Sequence, residues 1–147
     1  MLGVASAGVL RAEDVLPHRP PFLFVDELLE LEPGCSARGR WHLTGEEAFF
    51  GGHFPGRPTL PGVLMVESLA QLGAVAVLAD ERFTGRLPLF GGIDRARFHR
   101  QVLPGDTLDL EVTLGRLSAR AGTGYGHARV DGRLACEVDL FFVIVNA

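Results

Sequence analysis

From Pro61 to Ala79 the chain is almost continuously apolar, and this run predicts the one long helix of the fold. Pro61 suits its first helical position, where the missing N–H would be unpaired anyway. The only ionisable residue inside the run is Glu67, with Gln71 four residues on and therefore on the same face. The rest of the chain reads mostly as strands. Phe22 to Leu31 is predicted extended, Pro33-Gly34 turns, and Ser36 to Leu43 alternates well enough to return as a hairpin partner. Beyond the helix, Leu87 to Phe98, Thr107 to Leu117, Gly122 to Val130 and Arg133 to Val145 carry strand residues with turns between them. Asp131-Gly132 is a strong two-residue hairpin signal. Before all this, Arg11 to Leu16 predicts a short helix that Pro17 and Pro20-Pro21 stop. One buried helix among about six antiparallel strands is an α+β layout in which a curved sheet wraps the helix.

A membrane span competes for the apolar run, because about 20 apolar residues cross a bilayer. The run falls slightly short, holds a carboxylate near its middle, and is followed by strands. A chain of 147 residues, 47% hydrophobic, fits a single domain spanning 1–147, with residues 1–10 read as a loose terminus. That opening lacks the basic start of a signal peptide. A net charge of -4 gives no global reason to bind nucleic acid or an anionic membrane. All 14 basic residues are arginine, so any acidic partner is met locally by planar, permanently charged groups. Cys35 and Cys136 are too few and too far apart for a disulfide framework or a zinc site. Free thiols point to a reducing compartment, the cytoplasm.

Phe49 to Gly62 holds four glycines and three prolines, the composition of a structured loop. Within it, Gly52-His53-Phe54-Pro55-Gly56 presents an imidazole just ahead of the helix that holds Glu67. A lone carboxylate on an apolar helix is costly to desolvate, which raises its proton affinity toward that of a general acid. Histidine titrates near the same range. Singly, each residue has a purely structural reading, a turn histidine bonded to backbone and a carboxylate buried for fold specificity; their pairing favours chemistry. Gly62, in the first helical turn, offers an N–H to a thioester carbonyl as enolate charge develops, although close packing is the commoner reason for glycine there.

The block from Gly52 to Gln71, GHFPGRPTLPGVLMVESLAQ, resembles the signature of the bacterial (3R)-hydroxyacyl-acyl-carrier-protein dehydratases of type II fatty acid synthesis. Leu16-Pro17-His18-Arg19 through Phe22-Leu23-Phe24-Val25-Asp26 is similar to that family's entry segment. Gly92 to Phe98, with Pro104-Gly105-Asp106, is similar to its later strand and turn. The resemblance spans roughly residues 14 to 145. It implies a hot-dog fold, a homodimer with two interface tunnels, often assembled as a trimer of dimers, and no metal or other cofactor. It also implies that each site takes His53 from one subunit and Glu67 from the other. Residue by residue, His53 matches the catalytic histidine, Glu67 the catalytic glutamate and Gly62 the glycine whose N–H polarises the thioester; Gln71 would orient Glu67. His53 would remove a proton from C2 while Glu67, directly or through water, protonates the departing C3 hydroxyl. Gln101 stands where these enzymes commonly have proline, and Leu89 near where some place a tunnel-gating tyrosine. Those departures bear on chain-length preference.

Arg95 and Arg97 are expected on one face of their strand with Arg100 close by, suited to an acidic acyl carrier protein, or else simply a solvated face. Phe49, Phe50, Phe54, Leu89, Phe90 and Phe98 are the candidates for an acyl tunnel, with core packing as their plainer role. Among rival functions, coenzyme A hydratases that resemble this chain place an Asn and a His in a shared loop, whereas the one Asn here is Asn146. A hot-dog thioesterase would activate water with a helix carboxylate and not need His53. The dehydratase-isomerase relatives carry aspartate at the Glu67 position. A non-catalytic acyl-carrier binder would not need an intact His53 and Glu67.

Overall fold

The computed structural model describes residues 11–147 and the strand at residues 5–6. Along the chain lie β1 (Ala5–Ser6), α1 (Ala12–Val15), β2 (Glu27–Glu32), β3 (Ser36–His42), α2 (Gly62–Leu78), β4 (Arg86–Phe98), β5 (Thr107–Leu117), β6 (Ala121–Val130) and β7 (Arg133–Asn146). The seven strands form one sheet in the order β1-β2-β3-β5-β6-β7-β4, and every neighbouring pair is antiparallel. The helix α2 lies across one face and touches β3, β4, β5, β6 and β7.

Alternation explains which face is covered. Successive side chains on a strand point to opposite faces, so Leu108, Leu110 and Val112 on β5 and Cys136, Val138 and Leu140 on β7 all turn toward the helix and are buried. They meet Leu69, Leu72, Val75 and Val77 of α2, none of which has exposed surface. On β6 the inward positions Gly122, Gly124, Gly126 and Ala128 are all small. A Cβ at Gly126 would stand 3.3 Å from Leu69 Cβ, so the missing side chain lets the sheet lie close to the helix there. At the β6–β7 turn Asp131 and Gly132 both have positive φ, 50° and 79°, as a two-residue hairpin requires.

Three expectations are corrected. The segment from Phe22 to Asp26 is not strand; β2 begins at Glu27. Helix side chains hold the backbone of residues 22 and 24 in place of a strand neighbour: Ser68 Oγ donates to the Phe24 carbonyl at 2.7 Å, Phe24 N–H donates to Gln71 Oε1 at 2.8 Å, and Gln71 Nε2 donates to the Phe22 carbonyl at 3.1 Å. Pro61 is the N-cap rather than the first helical residue. Within the terminus read as loose, Ala5 and Ser6 pair with Leu31 and Glu30 and add a seventh strand; the remainder of 1–10 lies outside the described residues. Among the described residues no helix is long and apolar enough to cross a membrane.

At the other end of the sheet β4 is paired on one side only, with β7. It leaves Leu89, Phe90, Ile93 and Phe98 each between 45% and 49% exposed. A long edge strand carrying that much apolar surface is a template for another chain.

Candidate active site

His53 is carried by the loop between β3 and α2. Aromatic packing holds the start of that loop: Phe24 stacks on Trp41 at 4.7 Å, Trp41 meets Phe49 edge-on at 6.4 Å, and Phe49 abuts Phe50 at 4.8 Å. Further on, Thr59 N–H donates to the His53 carbonyl at 2.7 Å, while His53 Nδ1 lies 2.8 Å from the Thr59 carbonyl. A carbonyl only accepts, so Nδ1 carries a ring proton, and in the neutral imidazole Nε2 keeps its lone pair. That contact orients the ring and leaves Nε2 as its free nitrogen among the described residues.

Beside His53, Gly62 is the first residue of α2, and its N–H has no acceptor among the described residues. It points along the positive end of the helix dipole. A Cβ here would stand 2.9 Å from Phe98 Cε1, so close packing also demands glycine. His53, Gly62, Phe98, Arg100 and Gln101 line one recess of about 480 Å³.

Glu67 faces elsewhere. It lines a separate, mostly apolar cavity of about 290 Å³ between α2 and the sheet, with His18 and Gln71 as the other polar lining groups. Gln71 Nε2 donates to Glu67 Oε2 at 2.9 Å, and the same amide is anchored to the backbone of residues 22 and 24. Gln71 is 1% exposed, so its orientation is set and it sets that of the carboxylate. His18 Nε2 stands 3.9 Å from Glu67 Oε2, and His18 Nδ1 is buried without a partner among the described residues. No spacing rule links positions 18 and 67; only the fold brings this second imidazole to the acid. Within one chain, then, His53 and Glu67 line different recesses.

The family described as the FabA-like domain matches residues 16–139. The chain belongs to the FabA-like family. Among its FabA-like relatives it is 54% identical over 132 residues to the 3-hydroxyacyl-[acyl-carrier-protein] dehydratase FabZ of Moorella thermoacetica, covering 90% of this chain and 92% of that one. It is 52% identical over 141 residues to the protein of the same name from Herpetosiphon aurantiacus, covering 94% and 100%. In three dimensions it is similar to the dehydratase heterocomplex ApeI:P of Xenorhabdus doucetiae, with a TM-score of 0.74 over 94% of this chain and 91% of that one at 18% identity. The shared architecture is the hot-dog fold, α+β with a curved antiparallel sheet around one long helix.

In this FabA-like domain the tunnel candidates separate. Leu89 and Phe90 line the Glu67 cavity and Phe98 the His53 recess. Phe49 and Phe50 line neither; they are spent on the aromatic stack, and Phe50 is 4% exposed. Phe54 is outside both recesses as well, 54% exposed and stacked on the His53 ring at 4.1 Å. The arginines separate too. Arg95 lies 3.3 Å from Asp139 and 3.7 Å from Glu137 across the β4–β7 pairing, so its charge is engaged on its own sheet. Arg97 has no ion-pair partner among the described residues, and Arg100 lies in the His53 recess. Burial pushes the Cys136 thiol up to about 12, whereas Cys35 is exposed. Among the described residues no three His, Cys, Asp or Glu side chains cluster to hold a metal.

Proposed function

We propose that this FabA-like protein removes water from (3R)-hydroxyacyl chains carried as thioesters on acyl carrier protein, leaving trans-2-enoyl thioesters for fatty acid or related acyl-chain synthesis. Relatives 54% and 52% identical over nearly the whole chain bear the name of that reaction. The single observation that carries the mechanism is the 2.8 Å contact of His53 Nδ1 with the Thr59 carbonyl, which commits the Nδ1–H and leaves Nε2 of the neutral ring as the base.

His53 Nε2 takes the C2 proton while the thioester carbonyl accepts from the Gly62 N–H, which stabilises the enolate charge. The C3–O bond then breaks, Glu67 gives its proton to the leaving hydroxyl, water departs and the C2=C3 double bond remains. Transfer of the proton from His53 to Glu67 through solvent resets the pair. The apolar cavity beyond Glu67, with Ala74, Val77 and Phe142 in its wall, takes the acyl chain. Arg97 and Arg100 face the acidic carrier; Arg95, already paired, contributes less.

A second copy completes the site. His53 and Glu67 occupy different recesses of one chain, and the apolar edge of β4 invites antiparallel pairing with its two-fold mate. We place the dimer in the cytoplasm, where its two thiols stay reduced, with a trimer of dimers as the larger assembly.

Purified protein incubated with a 3-hydroxyacyl carrier tests this reading by mass spectrometry. Loss of one water from the acyl arm is expected. Release of free acid would make the protein a thioesterase, and an unchanged carrier would make it a binder.

A further inference from the structure

The His53 base depends on Thr59. Thr59 accepts the Nδ1–H through its carbonyl at 2.8 Å and returns its own N–H to the His53 carbonyl at 2.7 Å. Its side chain is held in turn by Gln101, whose Nε2 donates to Thr59 Oγ1 at 2.5 Å. Next to this pair Leu60 N–H donates to the Val102 carbonyl at 2.8 Å, so the strip 59–60 is stitched to the strip 101–102.

Gln101 is exposed in the recess that contains His53 and Gly62. Water could satisfy its amide there, so the bond to Thr59 is not one that burial compels, and its loss would cost the fold little. What the bond does supply is direction. It fixes the side chain of the residue whose carbonyl sets the ring of His53. Proline, the residue expected here from the resemblance, has neither an amide side chain nor an N–H and could not make this link.

We propose that Gln101 and the Thr59 hydroxyl act together as positioning residues for His53, holding the imidazole so that Nε2 faces C2 of the substrate. The inference rests on the reading of His53 as the base. Neither residue donates or accepts a reacting proton. Their effect falls on kcat, because the geometry they hold matters in proton transfer and not in acyl binding.

The test combines Gln101→Leu, Thr59→Val, the double variant and Thr59→Ser with nitrogen-15 NMR of the His53 ring. Each single change is expected to lower kcat about two- to tenfold, the range for losing one neutral hydrogen bond, with KM within about twofold. The double variant should be no slower than the slower single, because both remove the same bond. Thr59→Ser keeps the hydroxyl and should retain wild-type turnover. In the ligand-free protein the ring should be the Nδ1–H tautomer in every variant, because the carbonyl of residue 59 is main chain and stays in each, while the His53 ring resonances should move in Gln101→Leu and Thr59→Val only. Wild-type kcat in Gln101→Leu, unmoved His53 ring resonances in the slowed variants, or effects that multiply in the double variant would each overturn the proposal. An inactive wild type would instead refute the dehydratase reading, and the ring resonances would still decide this link.

Discussion

If each site takes His53 from one subunit and Glu67 from the other, two dead enzymes make a living one. Within a chain the two residues line different recesses, one beside Gly62 and Phe98, the other between α2 and the sheet. Consider His53→Ala and Glu67→Gln chains, each expected to keep about a hundredth of normal turnover or less, the usual loss for a positioned proton-transfer group. Mixed in equal amounts, denatured and refolded, they pair at random, and about half the dimers hold one chain of each kind. In such a dimer one site has both substitutions and the other has neither. With one intact site in two, in about half of the dimers, about a quarter of wild-type activity returns. That is some twenty-five times the parental background, well within the reach of a dehydration assay. Native mass spectrometry of the mixture verifies that mixed dimers formed. Were both residues supplied by one chain, every site would keep a defect. Mixed dimers without recovered activity would therefore refute the shared site.

Replacing Gln71 by Leu removes the anchor of Glu67 and leaves the Phe24 N–H and Phe22 carbonyl without that partner, so urea unfolding should show a loss of about 2–4 kcal/mol; a loss below about 0.5 kcal/mol would mean that other groups hold residues 22–24. Ile93→Glu on the exposed edge of β4 brings like charges together at a two-fold contact, and native mass spectrometry should find monomers with dehydration abolished; an active dimer would place the interface elsewhere. Cys136 adds a pH dependence. Its thiol is pushed from 9.0 to about 12 in the folded chain, so the unfolded chain gives up this proton first and stability is lost as pH rises from about 9 toward 12. Cys136→Ala should flatten that alkaline fall in denaturation curves; an unaltered slope would show that the thiol does not contribute.

The strands β3, β5, β6 and β7, the Asp131-Gly132 turn and the helix α2 lie where the sequence predicts them to within a residue or so. Their signals are local: a two-residue alternation, a glycine at positive φ, an unbroken apolar run. His53 and Glu67 stand out for the same reason, one ionisable group in a rigid loop and one on an otherwise apolar helix. What the sequence does not carry is decided by partners far along the chain. Phe22 to Asp26 has the composition of a strand, yet Ser68 and Gln71 bond the backbone of Phe22 and Phe24 from the helix. Phe49 and Phe50 look like tunnel residues until Trp41 arrives from β3 to meet Phe49 edge-on, with Phe50 packed on Phe49 in turn. Arg95 reads as a free docking charge until β7 sets Asp139 opposite it. His18 meets Glu67 across 49 positions, and the separation of His53 from Glu67 into two recesses exists only once the sheet has curved around α2. Periodicity and turn chemistry are properties of neighbours in sequence, whereas hydrogen-bond and ion-pair partners are chosen among neighbours in space, which the chain acquires only on folding.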